Sequence, residues 1–302
     1  MFNPTDVLIE TCVTQLQAEY RYTYGHDKPD YANLIIQVAT LALTKITRSN
    51  ALYHTVEHTI LATLVGQEIL RGKHLREGNV SPKDWLHCII SLLCHDIGYV
   101  KGICHQDKIN QRQYATGINQ EVIILPPGAT DASLAPYHVD RGKLFIQEYF
   151  LGEDLIDIEV IQRNLELTRF PVPADQDYQD TVNYPGLIRA ADLIGQLSDP
   201  QYLQKLTGLF YELAELGTHK GLGYHHPADL RQGYPKFFWN LVYPYIQTGL
   251  HHLQMTQWGG QIIANLYTNV FVIERELRAA EESAEHSQVI PFLPRRLKLL
   301  LR

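Results

Sequence analysis

Residues 81–98 read SPKDWLHCIISLLCHDIG, and this stretch decides the fold. Ser81 followed by Pro82 is a helix-start signal. The run that follows is apolar, with Cys88 and Cys94 inside it, and the helix it predicts ends near Gly98. Directly after the last cysteine come His95 and Asp96. A carboxylate at the end of a buried helix is costly unless a cation meets it. The stretch therefore predicts a helical core and raises the question of what this His-Asp pair holds.

Reading outward, nearly every segment has helical period. Asp30 is a candidate N-cap for the helix of residues 31–47, YANLIIQVATLALTKIT. Ser49 and Asn50 are candidate caps for a helix carrying His54 and His58. Tyr184-Pro185 opens GLIRAADLIGQL, and Pro200 opens QYLQKLTGLFYELAEL, which stops at Gly217. Residues 256–283 read as a long closing helix with two glycines near its start. EVIILPPGAT, residues 121–130, is the best strand candidate, and Pro126-Pro127 ends any regular element there. Residues 99–117 and 171–183 read as loops. The expected fold is all-α, with an N-terminal helical extension (1–49) packed on a single compact multi-helix domain (50–285). A basic, apolar tail, residues 286–302, carries Arg295, Arg296, Lys298 and Arg302 among leucines. A terminal helix is the plainer reading of the tail, and docking on a membrane surface or a partner the sharper one.

Bulk composition narrows the classes. The chain has 302 residues, 45% of them apolar and 20% charged, which suits a globular chain with a sizeable core and argues against wholesale disorder. A net charge of -7 gives no expectation of nucleic-acid binding. No apolar run approaches the roughly 18–20 residues of a membrane span. Asp6 and Glu10 fall where a signal peptide would need unbroken apolar sequence, so a cytoplasmic location is the default. Cys12, Cys88, Cys94 and Cys104 form no C-x-x-C pair and read as reduced and buried.

The fourteen histidines are more informative. In LYHTVEHTILA, residues 52–62, His54 and His58 are four positions apart, a spacing that puts two helical side chains on one face about 5–6 Å apart at Cβ. Two imidazoles on an apolar face need partners. The spacing matches the H-E-x-x-H zinc motif, but Glu57 stands immediately before the second histidine, so the protease reading fails. Asp192 again interrupts a small, apolar helical run. Each residue alone reads equally well as a hydrogen-bonded buried polar group. The ordered set, a histidine, then His-Asp, then Asp, each inside an apolar helix, points to a metal site. His225-His226 and His251-His252 are adjacent pairs whose members diverge on a helix, and read as surface residues.

The order His58, His95-Asp96, Asp192 resembles the HD superfamily of metal-dependent phosphohydrolases, and within it the catalytic domain of class I cyclic-nucleotide phosphodiesterases. That family's Tyr-His-Asn followed after two residues by His is similar to Tyr53-His54-Thr55 followed by His58. Its Ser-to-His spacing is met by Ser133 and His138, and its Ala-Asp-Leu by Ala191-Asp192-Leu193. The likeness covers roughly residues 50–200. It departs at Tyr99, where the family has a further histidine, at Pro136, where it has a glutamate, and at Tyr234, on which the place of its purine-binding glutamine falls.

The resemblance implies an all-helical HD fold in which His58, His95, Asp96 and Asp192 hold one divalent ion. Asp96 would bridge to a second, and the metal would be Mn, Fe, Zn or Mg. It implies hydrolysis of a small nucleotide-like phosphomonoester or phosphodiester by a metal-activated hydroxide, with His54 as general acid. His138 would orient a ligand or a water, or serve as a further ligand. His105 and Asp107 lie in a loop that Lys101, Lys108 and Arg112 make positive, which suits a phosphate-bearing substrate as well as an ordinary solvated loop. Two alternatives stay open: a di-iron oxygenase on the same fold, which needs extra imidazoles such as His138, and a non-catalytic HD domain that binds a ligand or regulates. A homo-oligomer is compatible with all three.

Overall fold

The computed structural model describes residues 2–288. The fold is all-α, as the periodicity predicts. Helices α1 (Pro4–Tyr24), α2 (Pro29–Ile46), α3 (Val56–Glu77) and α4 (Pro82–Cys94) come first. A short excursion follows, with one two-stranded antiparallel ribbon, β1 (Gln113–Ala115) and β2 (Val122–Ile124), the second inside the stretch expected to be extended. Then come α5 (His138–Phe150), α6 (Ile158–Glu166), α7 (Tyr184–Leu197) and α8 (Tyr202–Glu215). The fold ends with α9 (Pro227–Phe237), a π-turn at Phe238–Val242, α10 (Tyr243–Leu253) and α11 (Gln257–Gln288). One continuous apolar cluster runs from Ile9 in α1 to Ile273 in α11, so the two N-terminal helices share the core of the rest. The basic tail expected over residues 286–302 lies outside the described residues from 289 onward. Among the described residues, no helix is long and apolar enough to cross a membrane.

Three features of the sequence position the site. Ser81 caps α4 with a full capping box: its hydroxyl accepts from the Asp84 amide, and Asp84 accepts from the Ser81 amide. From Trp85 to Cys94 every residue of α4 is buried, so its C-terminal end delivers His95 into the interior. Helices α3 and α7 pack lengthwise against one another. They meet through small residues, and a Cβ on Gly195 would lie 2.6 Å from the Ala62 Cα. Side chains projecting from this seam therefore meet at short range.

Two helix starts differ from the sequence expectation. α2 begins at Pro29 with Lys28, in the left-handed region at φ 48°, as its cap, and Asp30 falls inside the first turn, where an acid suits the helix dipole. α3 begins at Val56 with Thr55 as its cap, so His54 lies outside the helix that carries His58. The reason is distant in sequence. Glu212 of α8 accepts the amides of Tyr53 (2.6 Å) and His54 (3.3 Å), which removes their need for helical partners. Ser49 and Asn50 cap no helix: Ser49 accepts the Ala51 amide, and Asn50 accepts the Asp131 amide.

Candidate metal centre

Four residues expected as ligands come together from three helices. His58 stands on the first turns of α3, His95 and Asp96 at the end of α4, and Asp192 in the middle of α7. The Nε2 atoms of His58 and His95 lie 3.2 Å apart. Asp192 Oδ1 is 3.2 Å from His58 Nε2 and 3.4 Å from His95 Nε2. The ligand atoms of these three residues all lie within 4.8 Å of one another. Asp96 stands outside that trio, yet its Oδ2 lies 3.1 Å from His58 Nε2 and 3.2 Å from His95 Nε2. Ligand atoms that share a small ion at about 2.1 Å are separated by distances of this size.

The chemistry of the donors also fits a cation. His95 Nδ1 sits 2.7 Å from the Leu92 carbonyl. That contact requires a proton on Nδ1 and, in the neutral ring, leaves the Nε2 lone pair facing the site. Asp96 Oδ2 is buried with no well-formed hydrogen bond, an orphan that a positive ion would satisfy. Metal-free, the cluster can balance itself only with protons. Burial opposes charge on His58, but the nearby carboxylates of Asp192 and Asp96 outweigh it and push its pKa from 6.5 up to about 9. His95 is likewise raised against its burial, by the charges of Asp96 and Asp192. The two carboxyls, also against their burial, are held below the usual range by His95 and His58.

A pH dependence follows, with its sign. A metal must displace protons from raised imidazoles, so affinity should climb as pH rises from 6.5 toward 9, roughly tenfold per pH unit for each proton displaced. Mn²⁺ titrations across that range, run in two buffers of different ionisation heat, read both the affinity and the released protons. A flat profile would contradict the assignment. In the metal-free protein the same shift acts in the opposite sense. The stabilisation from protonated His58 is complete below 6.5 and is lost as pH passes about 9.

His54 is held apart from the ligands by a partner that the sequence reading missed. Its Nδ1 lies 2.6 Å from Glu212 Oε2, while the other oxygen of Glu212 takes the two backbone amides. Burial works against charge on Glu212, but these contacts hold its carboxyl below the usual range. A signal was present in the sequence. Glu212 is an acid inside the apolar run LFYELAEL, the same criterion that singled out Asp192. The His54 and His58 rings are 5.7 Å apart and nearly perpendicular, so proximity survives although the shared helix does not.

Tyr99 and His138 complete the surroundings. The Tyr99 ring stacks on His54 at 4.4 Å and on His138 at 4.6 Å. Burial, then the charges of Asp96, Glu212 and Asp192, raise the Tyr99 phenol well above its ordinary value, so it stays protonated. His138, at the start of α5, has its Nδ1 2.6 Å from the Ala135 carbonyl and stands outside the ligating trio. Burial lowers its pKa, so its ring is neutral at pH 7.

The loop after the His-Asp pair is built differently from the substrate-facing surface considered for it. The Asp107 side chain is fully buried in an ion pair with Arg141 at 3.0 Å. Lys101 is tied to the Ala129 carbonyl and to Asp131. His105 is exposed and faces Glu148 and Tyr149. His225, His226 and His251 are exposed as expected, but His252 is buried, because α10 turns it inward toward α3, where its backbone carbonyl lies against Gly72. All four cysteines are free and buried.

Fold and site together define an all-helical protein with a His-Asp cluster that could hold a metal ion. The chain belongs to the Npun_R2479-like family, whose family model matches residues 2–276. That match includes α1 and α2 as well as all the residues of the cluster. No curated protein matches the chain.

Proposed function

We propose that this protein is a metal-dependent phosphohydrolase of the HD type, acting on a small nucleotide-like phosphoester. One observation carries the reading: four ligand-competent side chains meet at one buried point, while a separate His54–Glu212 pair stands beside them and off the metal position. His58, His95, Asp96 and Asp192 would hold the ion. When bound, it would lower the pKa of a water and neutralise charge on phosphoryl oxygens. Glu212 fixes the His54 ring through Nδ1 and leaves Nε2 to give a proton to the leaving oxygen. Tyr53, packed 5.3 Å from His54 and 5.9 Å from His58, helps keep the two rings apart. The oxygenase alternative needs more imidazole ligands, and His138, the residue it would recruit, is stacked on Tyr99 with its Nδ1 committed to the Ala135 carbonyl.

Metal analysis of the purified protein, followed by assay against a panel of phosphomonoesters and phosphodiesters with and without chelator, tests this reading. Phosphate release should depend on the metal, and release that persists after chelation would overturn it. His54→Ala should keep its metal and lose roughly 10²–10⁴-fold in turnover. Loss of metal in that variant would mean that the two histidines have exchanged roles.

A further inference from the structure

We propose that Arg141 is a positioning residue of this centre. From α5 it holds the turn that follows Asp96, and through that turn it sets where the Asp96 carboxylate meets the two imidazoles. The inference rests on the metal reading above and deepens it.

The four ligands are not anchored alike. His58 lies in the first turns of α3 and Asp192 in the middle of α7, so the hydrogen-bond ladders of those helices fix their backbones. α4 ends at Cys94, and His95 and Asp96 come after its last residue. The end of a helix has lost its ladder partners and frays unless other groups hold it. His95 regains one hold through its ring, whose Nδ1 lies 2.7 Å from the Leu92 carbonyl. The Asp96 Oδ2 has no such hydrogen bond. Its place beside the imidazoles, at 3.1 and 3.2 Å, is therefore set by the backbone that carries it.

That backbone is gripped from α5. The Asp96 carbonyl accepts the Tyr99 amide at 3.0 Å, and the Ile97 carbonyl accepts the Val100 amide at 3.1 Å, which closes a short turn. Arg141 spans it: Nε donates to the Gly98 carbonyl at 2.6 Å and one terminal nitrogen to the Val100 carbonyl at 2.9 Å. The other terminal nitrogen donates to the Ala115 carbonyl. Asp107 closes the hub, facing the guanidinium at 3.0 and 3.2 Å and accepting the amides of Gly102 and Ala115, each at 2.9 Å. Neither Arg141 nor Asp107 has exposed side-chain surface. Gly98 brings the turn against α5 itself, since a Cβ there would fall 1.9 Å from the His138 carbonyl oxygen and 2.8 Å from the Gly142 nitrogen.

This arrangement needs an arginine. Its planar fork reaches several carbonyls and a carboxylate at once, whereas a lysine offers one compact charge on a flexible stem. A buried ion pair is a weak source of net stability beside apolar packing of the same volume. What the guanidinium adds is direction, a fixed set of donors aimed at the two carbonyls that bracket Tyr99. Ligand atoms must stay within about 0.5 Å of their working geometry to share one ion, so slack in this turn reaches the metal directly.

The test uses Mn²⁺ as the probe on the full chain, read as affinity and as the electron paramagnetic resonance spectrum of the bound ion. Arg141→Lys keeps a charge opposite Asp107 but loses the fork. At a temperature where circular dichroism shows it folded, it should bind Mn²⁺ about 10–100-fold more weakly and give an altered spectrum. Leu16→Ala removes a fully buried side chain in α1 and touches no ligand, so it should lower the melting temperature and leave affinity and spectrum unchanged. Should Arg141→Lys not fold, Arg141→Met/Asp107→Leu, which buries no charge, carries the same measurement and the same expected loss. Parental affinity and spectrum in the folded Arg141 variant would overturn this inference and leave the metal reading standing. Equal weakening in Leu16→Ala would also overturn it, by reducing Arg141 to a stabilising residue. No Mn²⁺ on the unaltered protein, or Mn²⁺ that survives His58→Ala, would overturn both readings together.

Discussion

On the proposed reading, Asp96→Ala should abolish divalent-cation binding and metal-dependent phosphate release together. Asp96 touches both imidazoles, at 3.1 and 3.2 Å, and brings negative charge against two raised histidines. Removing it deletes a donor and also takes away one of the interactions that raise His58 and His95. Loss of an outer-sphere partner alone typically costs about 10–100-fold in metal affinity, and loss of a direct ligand should exceed that. If the ion contributes several kcal/mol to the transition state, turnover should fall by roughly a thousandfold or more. Metal content and phosphate release measured on the same preparation check both parts. Phosphate release that survives this substitution would sink the metal mechanism outright.

Arg141→Ala is expected to be the most damaging change to stability. Arg141 and Asp107 form an ion pair with no exposed side-chain surface, and Arg141 also donates to the carbonyls of Gly98, Val100 and Ala115. Deleting the cation leaves a buried carboxylate and three carbonyls without their donor. Breaking such a pair from one side typically costs about 3–5 kcal/mol. For a chain of this size that corresponds to a fall in melting temperature on the order of 10 °C. The double variant Arg141→Met/Asp107→Leu should recover only the part of the loss that comes from the unpaired buried charge, since the carbonyls of Gly98, Val100 and Ala115 still lack their donor and the amides of Gly102, Cys104 and Ala115 lose their acceptor. Thermal melts of the single and double variants decide the matter. A single variant as stable as the parent would show that the pair is dispensable.

The sequence made the His-Asp cluster legible for a physical reason. His58, His95, Asp96 and Asp192 each interrupt an apolar helical run, where an unpaired polar group is expensive, so the interruption itself carries information. Glu212 satisfies the same criterion and was readable in principle. The start of α3 was not. The amides of Tyr53 and His54 look like candidates for a first helical turn until one knows that a carboxylate 159 positions away accepts the first of them. Local cap signals at Ser49 and Asn50 could not reveal that. Asp107 misled for a related reason: a polar loop suggested exposure, and the arginine that buries it lies 34 positions further on, in α5. The ring stack of His54, Tyr99 and His138 depends on how the loop crosses the start of α5, which no periodicity encodes.

The small-residue seam between α3 and α7 sets a distance standard for the chemistry. His58 and Asp192 sit on helices whose separation is fixed by contacts such as Gly195 against Ala62, not by the ligands themselves. A methyl group added at the seam would wedge the two axes apart and open the gap between imidazole and carboxylate, although every ligand stayed in place. Selection for tight ion binding in a library of random variants would therefore return glycine and alanine at seam positions as strictly as it returns histidine and aspartate at the ligands.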